Sequence, residues 1–240
     1  MKNFNKYSKE NIHFYDENLP NLLEEIIPNK EFNILDLGCG DGRIFYALHK
    51  KGLLKNANKI RGVDLSKERC KQAKKILPKI KTICSDACNV KELENNSFDI
   101  IISNQVIEHM PNDNLLLKEI RRLLKKDGKL YLSTVLKKWY GIYIYRNNGK
   151  FVLDPTHIRE YKSPQEIEYL FKKNSLKILK LNIKQTYFPV LDLFIRILNK
   201  LNIVKDVRNV YLKNSFLNNI RDIFKIPIIG YKSIEVIGTK

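Results

Sequence analysis

Between residues 31 and 135 the chain alternates short apolar runs with amphipathic helical stretches, and that alternation constrains the fold more than any other feature. Phe32–Leu37 reads as a buried strand ending in Gly38-Cys39-Gly40-Asp41-Gly42, with a helix following through about Lys51. Residues 59–64 form a second strand, a helix opens near Ser66, and Lys81–Cys84 is a third, shorter strand. Residues 98–103 (FDIIIS) are apolar almost throughout, which suits a central strand covered on both faces. Residues 111–126 put Leu115, Leu116, Ile120, Leu123 and Leu124 on one helical face, and Asp127-Gly128 turns into a strand over 129–134. Strands alternating with helices of this length predict βαβ units and a doubly wound parallel sheet.

After Thr134 the pattern changes. Residues 136–161 are irregular and aromatic (Trp139, Tyr140, Tyr143, Tyr145, Phe151, Tyr161), either the wall of an apolar pocket or a hairpin packed on a cap. Ser163-Pro164-Gln165-Glu166 has the N-cap, early proline and acidic residue of a helix start, and the helix runs to about Asn174. Residues 176–183 and 233–238 read as strands that pair antiparallel, with two basic amphipathic helical stretches inserted over 190–225. Helical spacing from Tyr7 to Ile27 predicts an N-terminal lid.

Composition adds bounds rather than a function. With 240 residues and 43% hydrophobic content the chain fits one elaborated globular domain and not a disordered one. No apolar run reaches the roughly 20 residues of a spanning helix, and the first ten residues carry no signal-peptide core, so the expected location is cytoplasmic, with membrane-peripheral contact left open. The net charge of +18 invites an anionic partner, but it is spread as +10 over residues 1–159 and +8 over residues 160–240. Abundant Lys, Asn and Ile also look like the codon bias of AT-rich coding sequence. Cys39, Cys70, Cys84 and Cys88 form no paired CxxC and have no histidine at zinc spacing, so reduced thiols and no metal are expected.

The chemistry lies in the glycine loop. A dinucleotide site needs G-x-G-x-x-G, yet Arg43 stands where its third glycine belongs. The pattern here is Asp36-x-Gly38-x-Gly40-x-Gly42, and a carboxylate just before the glycines suits a cationic ammonium better than a pyrophosphate. Asp64, at the end of the next strand, stands where a carboxylate accepts hydrogen bonds from ribose hydroxyls. The loop therefore fits a nucleoside carrying an amino acid.

Five blocks in order, ILDLGCGDGR (34–43), GVDLS (62–66), CSDACNV (84–90), FDIIISNQVIEHM (98–110) and LLKKDGKLYLST (123–134), resemble those of the class I S-adenosylmethionine-dependent methyltransferases. The resemblance is to the small-molecule, quinone and sugar methyltransferases among them. It implies a Rossmann-like α/β fold: a doubly wound, mostly parallel seven-stranded sheet closed by a C-terminal antiparallel hairpin, plus a helical cap. It divides a single 1–240 domain into a lid (1–30), a cofactor-binding core (31–135), a substrate-side segment (136–162) and C-terminal helices and strands (163–240) with an insert at about 187–228.

Carried onto this chain, the resemblance implies that Asp36, Gly38, Gly40 and Gly42 shape the floor under the methionine part of S-adenosylmethionine, with Cys39 among them carrying no chemistry. Asp64 would hold the ribose, Leu65 would pack on the adenine, and Asp86 with Ala87 would read the adenine amino group. Asn104 and Val106 would line the methionine side and face the substrate. His109, in the family's Glu-His pair, and His157, just before an aromatic residue and a P-x-E helix start, are the candidate catalytic residues, and Arg159 either holds an acidic group or pairs with Glu160. His13 and His49 read as surface residues remote from the strand ends.

The activity implied is methyl transfer to an oxygen or nitrogen of a small-molecule acceptor. The alternatives are a membrane-peripheral lipid or quinone-precursor methyltransferase and an RNA or protein methyltransferase. No appended nucleic-acid module is visible and Ser103-Asn104-Gln105-Val106 replaces the N-P-P-Y signature of amide methylases, so a nucleic-acid partner is not expected. The basic helices of 190–225 read as a cap, an anionic-membrane contact or a homodimer contact.

Overall fold

The computed structural model describes residues 13–147 and 149–240. After a five-residue helix α1 (Asn21–Glu25), β1 (Phe32–Leu37), α2 (Arg43–Lys50), β2 (Ala57–Asp64), α3 (Lys67–Ile76), β3 (Lys81–Cys84) and β4 (Phe98–Asn104) follow in turn. A single 3₁₀ turn over Ile107–His109 leads to α4 (Asp113–Leu123) and the long β5 (Leu124–Lys137). The chain then makes a small hairpin, β6 (Tyr145–Asn147) and β7 (Lys150–Val152), and continues through α5 (Pro164–Lys173) into β8 (Lys177–Pro189). Three helices, α6 (Val190–Lys200), α7 (Val210–Lys213) and α8 (Ser215–Ile223), precede the closing strand β9 (Lys225–Thr239).

The main sheet has seven strands in the order β3-β2-β1-β4-β5-β9-β8. Strands β1 to β5 pair in parallel, and β9 runs antiparallel between β5 and β8. Sequence order reverses between β1 and β4, so the crevice at their carboxyl ends is the switch point at which such sheets bind ligands. The centre is apolar for the reason the sequence suggests: Ile100, Ile101 and Ile102 of β4 are flanked on both sides and are at most 2% exposed.

Three expectations are corrected. The helix over 111–126 ends at Leu123, because Leu124 pairs with Phe98 and draws the chain into β5 three residues before the Asp127-Gly128 turn. Of the predicted lid, residues 7–12 lie outside the described residues, while 13–20 are non-helical and only Asn21–Glu25 is helix. Of the apolar stripe of the first inserted helix, Leu191 packs against the Phe14–Ile195–Tyr211 cluster, while Ile197 and Leu198 are exposed. Phe194 and Leu201 are 57% and 63% exposed, whereas Asp192 and Ile195 are buried.

Strands β8 and β9 outrun the sheet. The pairing of β9 with β5 stops at Lys137↔Tyr231, yet Tyr187↔Pro227 through Pro189↔Lys225 continue the β8–β9 ladder. The helical insert sits at the end of that overhang.

Candidate active site

The glycine loop after β1 closes because backbone amides find partners on β2. The amides of Gly38 and Cys39 donate to the Val63 carbonyl at 2.7 and 2.9 Å. Gly38 has φ +86°, and a Cβ there would stand 2.3 Å from Val106 Cγ2, so its lack of a side chain lets the loop after β4 close over the floor. Gly42, at φ +89°, begins α2 with α3 pressed against it, its missing Cβ 3.0 Å from Ala73. Cys39 is buried beside Gly62, where it fills space.

Two buried carboxylates line the crevice. Asp64 accepts the Gly40 amide on one oxygen at 3.0 Å and the Ser66 amide on the other at 2.8 Å. Burial still raises its pKa in spite of those amides. Asp36 is 1% exposed, and its Oδ1 has no partner among the described residues. Burial, with Asp64 repelling, pushes its carboxyl up to about 8. An orphaned acidic oxygen at the floor of a crevice is completed by a cation, and the family's cofactor carries one as its ammonium. The residues present therefore fit S-adenosylmethionine.

Further along the strand ends, Leu65 is 48% exposed and free to cover a flat ring. Asp86 accepts the Cys88 amide at 2.8 Å in a turn that leaves Ala87 buried. Asn104 accepts the Ser133 hydroxyl at 2.6 Å, and Val106 lies over Gly38.

The loop that carries Val106 also carries a polar cluster. Glu108 is fully buried; one oxygen accepts the Thr134 hydroxyl at 2.9 Å, and the other, without a hydrogen-bond partner, lies 3.9 Å from His157 Nε2. His157 Nδ1 bonds Glu160 at 2.9 Å, and the His109 and His157 rings are 4.8 Å apart, edge to face. Burial opposes the ionised form of Glu160, but His157 and the Leu153 amide hold its carboxyl below the usual range. An ionised Glu160 accepts Nδ1–H and leaves the lone pair of His157 on Nε2. Thr156 gives its proton to Asp154, so it can only accept from His109 Nδ1, which leaves the His109 lone pair on Nε2 as well. Burial lowers His109 to about 4 and raises Glu108 to about 7. The site thus holds a neutral His109 imidazole beside a carboxyl that titrates near neutrality.

Glu108, His109 and His157 also present three ligand atoms within 4.8 Å of one another, a set able to hold a divalent cation. Sequence spacing gave no sign of it, since His157 comes in from a segment 48 residues beyond His109.

Two neighbours read differently from the sequence. Arg159 pairs with Asp113 and donates to the Pro111 carbonyl, not to Glu160. His13 is not remote: its Cε1 lies 3.6 Å from where a Gly40 Cβ would stand, and its Nδ1 bonds Asp41 at 2.8 Å. It was missed because helical spacing assigned it to a lid helix that the described residues do not form. Burial alone would raise Asp41, but His13 and Arg208 hold it below the ordinary carboxylate range.

A latch joins this loop to the insert. Arg208, between α6 and α7, bonds Asp41, and the Tyr15 hydroxyl donates to the Asp41 carbonyl. Arg221 of α8 bridges Asp16 and Asp192, and Asp16 in turn accepts from Arg43 at the start of α2. Phe14 packs edge-on against Tyr211 beneath Ile195 and Val207. His49, by contrast, is exposed at the end of α2, as expected.

Residues 35–132 match the family model described as a methyltransferase domain. A ubiquinone biosynthesis O-methyltransferase of Bartonella quintana is 27% identical over 175 residues, covering 70% of this chain and 68% of that protein. Among solved structures, a SAM-dependent methyltransferase of Methanosarcina mazei superposes with a TM-score of 0.63 at 16% identity, covering 93% of this chain and 98% of the other. The cyclase SpnF has the same fold, with a TM-score of 0.61 at 19% identity over 96% of this chain and 88% of its own. Residues 35–132 are thus a methyltransferase domain, and the sheet order and switch-point carboxylates give the chain the fold of the class I S-adenosylmethionine-dependent methyltransferases. It is a methyltransferase.

Proposed function

We propose that the acceptor is a hydroxyl on a small aromatic ring of the quinone-precursor type, and that His157 takes its proton. One observation carries this reading: a buried His157, oriented through Nδ1 by Glu160, presents its free Nε2 beside Glu108 on the same loop that closes over Gly38. A hydroxyl arrives protonated and must lose that proton, so a placed base has work to do there. The names of the relatives point to the same acceptor class.

S-adenosylmethionine supplies an activated methyl group on sulfur. Asp36 would hold the ammonium, Asp64 the ribose, and Leu65, Asp86 and Ala87 the adenine. Asn104 and Val106 would stand between the cofactor and the acceptor. Aligning the two reactants accounts for much of the rate, since orientation alone is worth roughly 7–11 kcal/mol. The Glu160 carboxylate then stabilises the imidazolium formed when His157 accepts the proton.

The three-ligand set favours a second reading, in which Glu108, His109 and His157 would hold a divalent cation that would supply Lewis acidity to the hydroxyl in place of a base. Incubating the enzyme with methyl-labelled cofactor and matched phenols, catechols, amines and sugars tests the proposal. Label should pass to the ring hydroxyls, and transfer to amines or sugars alone would overturn the reading. Loss of transfer on chelation, restored by added metal, would select the cation over the base.

A further inference from the structure

Of the 23 large apolar side chains exposed among the described residues, 17 lie within residues 139–145 and 187–229, fifty residues in all. They adjoin one another in space. The Lys138 and Ile142 amides donate to the Gly230 and Ile229 carbonyls, which ties the aromatic loop to the β9 overhang. Phe188 and Pro189 pair with Ile226 and Lys225, and the Val190 amide donates to the Phe224 carbonyl, which ties the overhang to the inserted helices. Trp139 is 94% exposed, Ile144 71%, Ile223 73% and Ile229 65%. Scattered exposed apolar residues need no explanation, but a contiguous field of this kind marks a contact surface.

Charge selects the occupant. Residues 137–150 and 187–232 carry twelve Lys and Arg against three Asp and no Glu. All three of those aspartates are ion-paired within the insert, to Arg221, Lys213 and Lys225. Lys138, Lys150, Lys200 and Lys205 are exposed around the apolar field. A second copy meeting this face about a twofold axis would bring like charges together. A nucleic acid would meet the cations but leave the isoleucines and leucines in water. An anionic bilayer satisfies both, with its headgroups at the lysines and its acyl boundary at the aliphatic and aromatic side chains. No described helix is long and apolar enough to cross a membrane, so the contact lies in the interface.

We infer that the β8–β9 overhang, its inserted helices and the 139–145 loop form a docking surface for an anionic lipid bilayer. The inference stands whatever the acceptor is. Through the β6–β7 hairpin, where Asn147 donates to the His157 carbonyl, it would put the catalytic histidine's own segment next to the lipid.

Trp139 is the only tryptophan in the chain and lies in this surface, so the unmodified protein reports its own docking. Vesicles of phosphatidylcholine, with and without phosphatidylglycerol, are added to the full chain while Trp139 emission, quenching by brominated acyl chains and co-sedimentation are followed. Phosphatidylglycerol should strengthen binding more than about tenfold, since each cation near the surface adds about 1 kcal/mol, and high salt should reverse the gain. Emission should shift to the blue and brominated lipid should quench it. The double variant Phe194→Ser, Ile223→Ser should bind vesicles about tenfold more weakly while its calorimetric affinity for S-adenosylmethionine is unchanged. An emission spectrum indifferent to anionic vesicles would overturn the inference. So would burial of Trp139 in a lipid-free dimer that no longer sediments with vesicles, or a shift produced by RNA and not by lipid.

Discussion

The ends of the parallel strands and the inserted helices solve opposite problems with the same residue types. At the strand ends, apolar residues are inside and the carboxylates at the crevice are buried among a few polar partners, Asp64 with two amides and Glu108 with Thr134 and His157. In the insert the order is inverted: Asp192, Tyr211 and the guanidinium of Arg221 are inside, while Phe194, Leu201 and Ile223 face out. A buried ion network holds an element in one position without drawing on its apolar face, which stays available for another surface. The first region is built to enclose a small polar ligand. The second is fastened to the first and left apolar outside.

If that contrast is right, the two regions fail separately. The largest effect is expected from His157→Ala, which should lower turnover by about 10²–10³-fold with little change in cofactor affinity, because a placed base contributes in that range. Glu160→Gln should fall between it and the wild type, having lost the carboxylate that orients the ring. Single-turnover rates with saturating cofactor check both, and a His157→Ala enzyme within threefold of wild type would remove the base from the mechanism. Next comes Asp64→Ala, expected to weaken S-adenosylmethionine by about a hundredfold, since two hydrogen bonds to a buried charge are worth roughly 3 kcal/mol together. Vesicle binding through the overhang should be unaffected by either change.

Arg221→Ala probes the fastening. It leaves Asp16 in the interior with Arg43 and the Asn18 amide, and Asp192 with Tyr211, at a cost of about 2–3 kcal/mol borne by the insert. Amide exchange across 190–223 should quicken while β1, β4 and β5 keep their protection. Equal loss of protection in β4 would mean that the insert and core unfold as one unit and would erase the distinction between the regions.

The same distinction governs how much could be read from the sequence. FDIIIS, the Asp36-to-Gly42 pattern and Asp64 are local signals, because a strand buried on both faces and a loop needing positive φ each dictate composition over a few adjacent residues. The sheet and its cofactor side were legible for that reason. His13 beside Gly40, the Asp16–Arg221 bridge and the meeting of Glu108 with His157 join residues 27 to 205 positions apart in sequence. No spacing rule reports such pairs. The amphipathic stripe of 190–201 was seen correctly as a stripe, but periodicity says only that two faces differ, not which one meets the protein.

The smallest effect is also the most specific to the polar cluster. Glu108 has a pKa raised to about 7 in the folded state, so its contribution to stability is fully present below the ordinary carboxylate value near 4.5 and is lost as pH rises through 7. His109, lowered to about 4 from 6.5, does the reverse: its contribution is present above 6.5 and is lost as pH falls toward 4. Over pH 4.5–6.5 the two slopes oppose each other and largely cancel in the wild type. Glu108→Gln removes one slope and leaves the other, so the variant should lose stability relative to wild type as pH falls from 6.5 to 4.5, by up to about 1 kcal/mol per pH unit. His109→Gln should instead lose stability relative to wild type as pH rises through that window. Urea denaturation at three pH values within it measures both, and two variants with parallel, flat differences would mean that neither group is desolvated as its burial between β4 and the 154–160 segment requires.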